Sequence, residues 1–507
     1  MSFTSFIRRS LVSKRPQVHS DLVSAAKETT VSNKNAWVPS RGADPFATCF
    51  NRRAFLRGGA ATFGGLAIGA SLASLTAPRV HAGSGVAPSP YGPLFPTPDE
   101  TTGLHLIQLP MGFRYLSYGW TGDPMMDGTP TPAAHDGMGV TDLHGHKIVM
   151  VRNHELGGGP AFGPNPYSPE AGGGNTNLVF DLENESFESA KVSLSGTIRN
   201  CAGGVTPWGS WISCEETDGN TVGGTIPHGY CFDVRSNGNA AARPLKDMGR
   251  FSHEAVAVDP ATGYVYETED DGGTSGVYRF IPNKSGVLHQ GGTLQMMKIA
   301  GIDQFDTRFL PCDGTVFDVE WVDIPNPDPN LEDGEPRTYF QGFNAGAARF
   351  QRPEGIWYGG GCFFFACTTG GPVGEGQIWM YDPVAETARI IYASPGGDVL
   401  ENPDNLVVNP DGTILLCEDN SGPTINAGER LIVLDPSGVY TFAMNNVDFT
   451  PGGLGTYTRP ESGITYTGNF RQSEWAGATW SPDGKWLFAN IQSPGVTLAI
   501  TGPWTWL

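Results

Sequence analysis

Gly249-Arg250-Phe251-Ser252-His253-Glu254 runs into Ala255-Val-Ala-Val258, turns at Asp259-Pro-Ala-Thr-Gly263, returns through Tyr264-Val-Tyr266 and ends in Glu267-Thr268-Glu269-Asp270-Asp271. Two short apolar runs joined by turn residues predict a β-hairpin. In an antiparallel hairpin the start of the first strand lies beside the end of the second. Glu254 and the acids at 267–271 are therefore expected at one end of this hairpin.

Working outward, the same pattern returns. Pro353-Glu354-Gly-Ile-Trp-Tyr358 turns at Gly359-Gly-Gly361, comes back as Cys362-Phe-Phe-Phe365 and ends at Thr368-Thr369. Pro403-Asp404-Asn405 opens a hairpin that closes at Cys417-Glu418-Asp419-Asn420, and Glu474-Trp475 opens one that closes at Asn490 and Gln492. Gly203-Gly204 to Glu215-Glu216 is a weaker copy, and Asp136-Gly-Met-Gly139 followed by Arg152-Asn153-His154-Glu155 marks the first. Hairpins repeated at intervals of tens of residues predict an all-β fold, a β-propeller of about six blades. Equivalent strand ends then converge on a central channel, and carboxylates or amides there would form a ring of hard oxygen ligands suited to Ca²⁺.

Composition agrees. The 507 residues include 69 Gly and 40 Pro, many for a helical protein, with 39% hydrophobic residues. Beyond residue 82 the chain holds 21 Lys/Arg against 49 Asp/Glu, a net of −28. That charge argues against nucleic acid as a partner and fits gathered cation ligands. Asn51-Arg52-Arg53-Ala54-Phe55-Leu56-Arg57, a weakly apolar run from Gly58 to about Ala77 and Val80-His81-Ala82 have the form of a twin-arginine export signal with a cleavage site. The expected organisation is a disordered extension plus signal over 1–82 and one propeller catalytic domain over 83–507. The run is too Gly-rich for a stable membrane anchor. The expected destination is periplasmic or secreted, the export machinery being a partner and the mature protein a monomer.

Cys49 leaves with the signal and seven cysteines remain, so at least one thiol is free. Cys201, in Asn200-Cys201-Ala-Gly203-Gly204, is the best candidate for a thiolate metal ligand. The chain has no Gly-x-Ser-x-Gly elbow, phosphate-binding Gly loop or HExxH zinc motif. Several buried acids on one channel would repel unless cations neutralised them. Arg352, two residues before Glu354, shares its strand face and could clamp an anion beside such a ring.

The motifs together resemble the PhoX-type alkaline phosphatases and their wider propeller family. They are the twin-arginine signal, Arg-Asn-His-Glu at 152–155, Asn-Cys-Ala-Gly-Gly at 200–204 and Trp-Gly-Ser-Trp-Ile-Ser-Cys-Glu-Glu at 208–216. Gly-Arg-Phe-Ser-His-Glu at 249–254, Arg-Pro-Glu-Gly at 352–355, Pro-Asp-Asn at 403–405, Cys-Glu-Asp at 417–419 and Ser-Pro-Asp-Gly-Lys at 481–485 complete the set. The resemblance implies a six-bladed propeller with Fe³⁺ and Ca²⁺ in the channel, hydrolysing phosphate monoesters. It makes Cys201 a thiolate ligand to iron, Glu254 and Glu354 metal ligands, and Arg352 a contact to substrate phosphate. Asp404, Asn153, Glu155, Glu215, Glu418 and Asp419 are expected as ligands or their supports. Glu267-Thr-Glu-Asp-Asp271 departs from the family's usual form, and no lysine matches a phosphate-contacting position. Two other readings stay open: a calcium-stabilised propeller that binds or scaffolds, and another metal-dependent hydrolase such as a lactonase. A free Cys201 beside Arg352 favours the phosphatase; Cys201 in a disulfide would favour the scaffold.

Overall fold

In the computed structural model the hairpin at 253–271 forms as expected. His253–Val258 pairs antiparallel with Val265–Glu269, His253 lying opposite Glu269. The structure describes residues 86–217, 226–238, 242–419 and 428–506. All belong to one compact unit, Ala43–Leu507. The extension, twin-arginine segment and cleavage site expected within 1–82 lie outside the described residues, as does Cys49.

Nearly all regular structure among the described residues is β, arranged as six propeller blades that follow one another along the chain. The first blade is His135–His144, Lys147–His154, Gly173–Asp181 and Ser186–Thr197. The second has three strands, Asn200–Val205, Ser210–Glu215 and Cys231–Arg235. The third continues from the opening hairpin through Val277–Pro282 and Gly292–Ile299. The fourth is Pro353–Gly359, Cys362–Cys367, Gln377–Asp382 and Thr387–Ala393. Phe317–Asp323 pairs with the outermost strands of both, joining these two blades into one nine-stranded sheet. The fifth is Pro403–Val408, Ile414–Glu418, Arg430–Asp435 and Gly438–Asn445, extended by two N-terminal strands. The sixth, Trp475–Trp480, Trp486–Ile491 and Val496–Thr501, takes its fourth strand, Arg114–Tyr118, from the other end of the chain. This shared blade closes the circle. The first strands touch their neighbours in cyclic order, from blade one through six and back to one.

Period-two alternation explains the layers. One face of each blade packs on the next, so Ile212, Cys214, Val256, Tyr278 and Phe280 form one core between blades two and three. Ala257, Tyr266, Phe365 and Trp379 belong to another, between three and four. Glycine and alanine recur close to the ring's axis. A narrow cavity there is lined from all six first strands, by Met138, Gly203, Ala255, Gly355, Leu406 and Gly477 among others. Gly355 shows why: a Cβ on it would stand 2.6 Å from the Asp404 carbonyl oxygen.

All six first strands also break register near their start. The shifts fall between His135/Met138, Asn200/Gly203, His253/Val256, Pro353/Ile356, Pro403/Leu406 and Ala476/Thr479. A β-bulge re-aims the side chain at the break. The described helix Thr338–Asn344 and the Pro-rich segment before it lie between blades three and four.

Candidate metal centre

The bulges build the site. In five blades the first strand opens on a residue paired with the end of the second strand: His135 with His154, Asn200 with Glu215, His253 with Glu269, Pro353 with Cys367 and Pro403 with Glu418. The next residue in each is Asp136, Cys201, Glu254, Glu354 or Asp404. In the sixth blade the ladder breaks after Ala476, so Gly477 stands there, and the blade's acid comes three residues earlier, as Glu474. A second tier follows the end of the second strands: Glu155, Glu216, Asp270 and Asp419, with Thr368 and Gln492 at the remaining two places.

These side chains converge. Ligand atoms of Glu254, Glu354 and Asp404 lie within 4.8 Å of one another; so do those of Glu155, Cys201 and Glu216, and those of Asp404, Asp419 and Glu474. Burial holds the carboxyl of Glu254 well above its usual range, and Asp404, Glu216, Asp136 and Asp270 push it further. Glu354 is raised by burial and then by Asp404 and Asp270. Asp404 is pushed up to about 7 by burial, with Asp419 adding. The thiol of Cys201 is lifted by burial, then by Asp136 and Glu254, and the cysteine is free.

Two guanidiniums enter the cluster from equivalent places, immediately before a first strand and with left-handed backbone: Arg199 and Arg352, both at φ 45°. Arg352 pairs with Asp270 through Nε (3.1 Å) and Nη2 (3.0 Å), and its Nη2 lies 2.7 Å from Glu354 Oε1 without hydrogen-bond alignment. Arg199 pairs with Glu155 at 2.9 Å and with Glu216.

Two guanidiniums do not balance this many acids, and Glu254 Oε1 is buried with no hydrogen-bond partner. An orphaned buried carboxylate oxygen aimed among other acids fits a cation. Carboxylates suit Ca²⁺, while a thiolate beside them suits a softer metal such as iron. The donor set therefore fits the expected mixed cluster, with Cys201, Glu216 and Glu155 as its softer corner.

Of the residues expected from the sequence, Cys201, Glu254, Glu354, Asp404, Glu155, Asp419 and Arg352 come together. Asn153, Glu215 and Glu418 do not, because their polar atoms are occupied. Asn153 donates to the carbonyls of Cys201 (3.0 Å) and Ala202 (2.7 Å), and its Oδ1 accepts from Trp211 (2.9 Å), Ser213 and Asn175. Glu215 accepts from the backbone N–H of Ile198, Gly229 and Tyr230 and faces His228 at 2.6 Å. Glu418 accepts from the N–H of Glu401 (2.8 Å) and from Arg430 Nη2 (2.5 Å) and Nε (2.7 Å). These three hold the loops that carry the cluster. The ligand set expected from the sequence leaves out Asp136, Glu216, Asp270 and Glu474, although each stands at a hairpin end; the first three occupy the repeating places of the blades and Glu474 does not.

A family model described as alkaline phosphatase PhoX matches residues 89–179 and 172–495. The structure of Pseudomonas fluorescens PhoX in complex with vanadate, a transition state analogue, is similar with a TM-score of 0.56 and 16% identity over 81% of this chain and 98% of that one. That likeness is one of fold. A Xanthomonas campestris gluconolactonase covers 82% of this chain and 99% of its own, at 14% identity and a TM-score of 0.39, too remote to carry an argument. No curated protein matches the sequence.

Proposed function

The chain belongs to the alkaline phosphatase PhoX family and is a phosphatase, and from that premise we propose that it converts a phosphate monoester and water to an alcohol and inorganic phosphate at an iron and calcium cluster in the mouth of the propeller channel. One observation carries the reading: five successive blades place Asp136, Cys201, Glu254, Glu354 and Asp404 at the same register position.

Cys201, with Glu155 and Glu216, would hold the softer metal, and Glu254, Glu354 and Asp404 would hold oxygen-seeking cations. When bound, the cluster supplies polarisation of the phosphoryl oxygens and activation of the nucleophile. The chain's own part is positioning. Arg352 uses Nε and Nη2 on Asp270, which fixes the plane of its guanidinium. Nη1 lies outside those pairs and is the donor offered to a phosphoryl oxygen, where it would meet growing charge in the transition state. Thr368 donates its hydroxyl to the Pro403 carbonyl at 2.9 Å, which ties blade four to blade five.

Export through the twin-arginine route, the cluster installed before transport, is part of the same proposal and rests on Asn51 to Ala82. No helix among the described residues is long and apolar enough to cross a membrane. The deciding experiment measures iron and calcium per chain alongside p-nitrophenyl phosphate turnover. Both metals with turnover are expected; a metal-loaded, folded protein without turnover on any monoester would remove the reading.

A further inference from the structure

A second cluster lies behind the first. His253 and Glu254 are successive residues of one strand, so they leave it on opposite sides. Glu254 joins the acids at the mouth, whereas His253 enters the interface between blades two and three. There Cys231 Sγ lies 3.3 Å from His253 Nδ1, and Glu267 Oε2 lies 3.3 Å from the same nitrogen. Cys214, directly opposite Cys231 in the sheet, brings its Sγ to 3.6 Å from that of Cys231. All four residues are 0% exposed.

We propose that Cys214, Cys231, His253 and Glu267 form a structural zinc site, separate from the cluster at the channel mouth. Geometry is the first argument. A tetrahedral zinc, with bonds of about 2.3 Å to sulfur and about 2.0–2.1 Å to nitrogen and oxygen, keeps its ligands about 3.3–3.8 Å apart. The separations at His253 Nδ1, 3.3 Å to Cys231 Sγ and 3.3 Å to Glu267 Oε2, fall in that range, and the ligand atoms of these three residues lie within 4.8 Å of one another; Cys214 Sγ, 3.6 Å from Cys231 Sγ, reaches the fourth corner only by a turn of its side chain. Glu267 is the second argument. Neither of its oxygens has a hydrogen-bond partner, although both are fully buried. A carboxylate orphaned in a core is strongly destabilising unless a cation satisfies it. The third is the histidine tautomer. Nε2 lies 3.1 Å from the Gly249 carbonyl oxygen, which can only accept, so Nε2 carries the proton. The Nδ1 lone pair then points at the thiol and the carboxylate. A carbonyl fixing the far nitrogen of a ligating imidazole is the usual support of a zinc site. Phe251, stacked on the ring at 3.6 Å, holds its plane.

The donor set is two thiolates, one neutral imidazole and one carboxylate, closed by the packed core around it. Such a site contributes to folding and keeps no open position for substrate. It would pin blade two, which has three strands among the described residues, to blade three.

The full chain, expressed with zinc supplied and dialysed against EDTA, is assayed for zinc by mass spectrometry. About one zinc per chain is expected to remain after the oxygen-bound cations have gone. Glu267→Gln and Cys231→Ser should each lower it at least about tenfold, while Cys201→Ser should keep it. Glu267→Gln has the shape of a protonated glutamate, so it folds even where Cys231→Ser does not. Cobalt in place of zinc should give thiolate-to-metal absorption that Cys201→Ser retains and Cys231→Ser loses. A Cys214–Cys231 disulfide in the peptide map, a zinc-free wild type, or zinc undiminished in Glu267→Gln would each overturn the site.

Discussion

Arg352 grips Asp270 of the neighbouring blade through two nitrogens, at 3.1 and 3.0 Å, while its own backbone sits at φ 45°. A non-glycine residue in the left-handed region is held there by its surroundings. The side chain is thus fixed by a pair across the blade boundary and aimed over Glu354. Arg352→Lys keeps the charge but loses the planar fork. The metals should stay, and kcat/KM for phosphate esters should fall by roughly 10–100-fold, the order for one strong charge-assisted contact. Kinetics with elemental analysis decide it; unchanged kinetics would leave Arg352 as a structural ion pair only.

Cys201 fails differently. It is free, buried and beside Glu155 and Glu216. Cys201→Ser replaces a soft donor by a poor one at nearly the same volume. Iron and turnover should drop together, by about tenfold or more in metal content, with the fold intact by circular dichroism. Full iron and full turnover in the variant would refute the thiolate role.

The repeat was legible because its turns are chemically marked. Asp259-Pro-Ala-Thr-Gly263, Asn409-Pro-Asp-Gly412 and Ser481-Pro-Asp-Gly484 punctuate apolar runs, and the residue ahead of each hairpin could be lined up. Glu254, Glu354 and Asp404 came from that alignment. Asp136 heads a hairpin that closes on Arg152-Asn153-His154-Glu155, and that polar tip drew the ligand assignment to the far end of the hairpin. The paired acids were harder. Glu418-Asp419 and Glu215-Glu216 each put one carboxylate into the blade and the next towards the mouth, and only the register says which. The pocket of Cys231 and Glu267 was invisible for another reason: it joins two blades through residues with no shared motif.

Glu418 tests that distinction. It is buried against Arg430, itself only 3% exposed. Glu418→Ala leaves that guanidinium without its partner, which costs about 3–5 kcal/mol for a buried pair. A lower melting temperature is expected with metal content per folded chain unchanged. Loss of calcium or iron at unchanged stability would return Glu418 to the ligands.

The acids of the mouth make stability depend on pH in an unusual direction. Glu254 and Glu354 are held well above the usual carboxylate range by burial and mutual repulsion, and Asp404 moves from 3.8 to about 7. Raised values mean the folded chain binds more protons than the unfolded chain between about pH 4 and the folded value. Stability of the metal-free protein is therefore fully present below about pH 4 as far as these groups are concerned, and is lost as pH rises through about 7. Cations replace those protons, so binding to the folded state removes the loss by mass action. Melting temperatures at pH 5, 6, 7 and 8, with and without prolonged chelation, give the test. The chelated protein should melt progressively lower as pH rises, and the gap from the metal-loaded protein should widen towards pH 8. Equal melting curves at pH 8 would mean that no cation neutralises Glu254, Glu354 and Asp404.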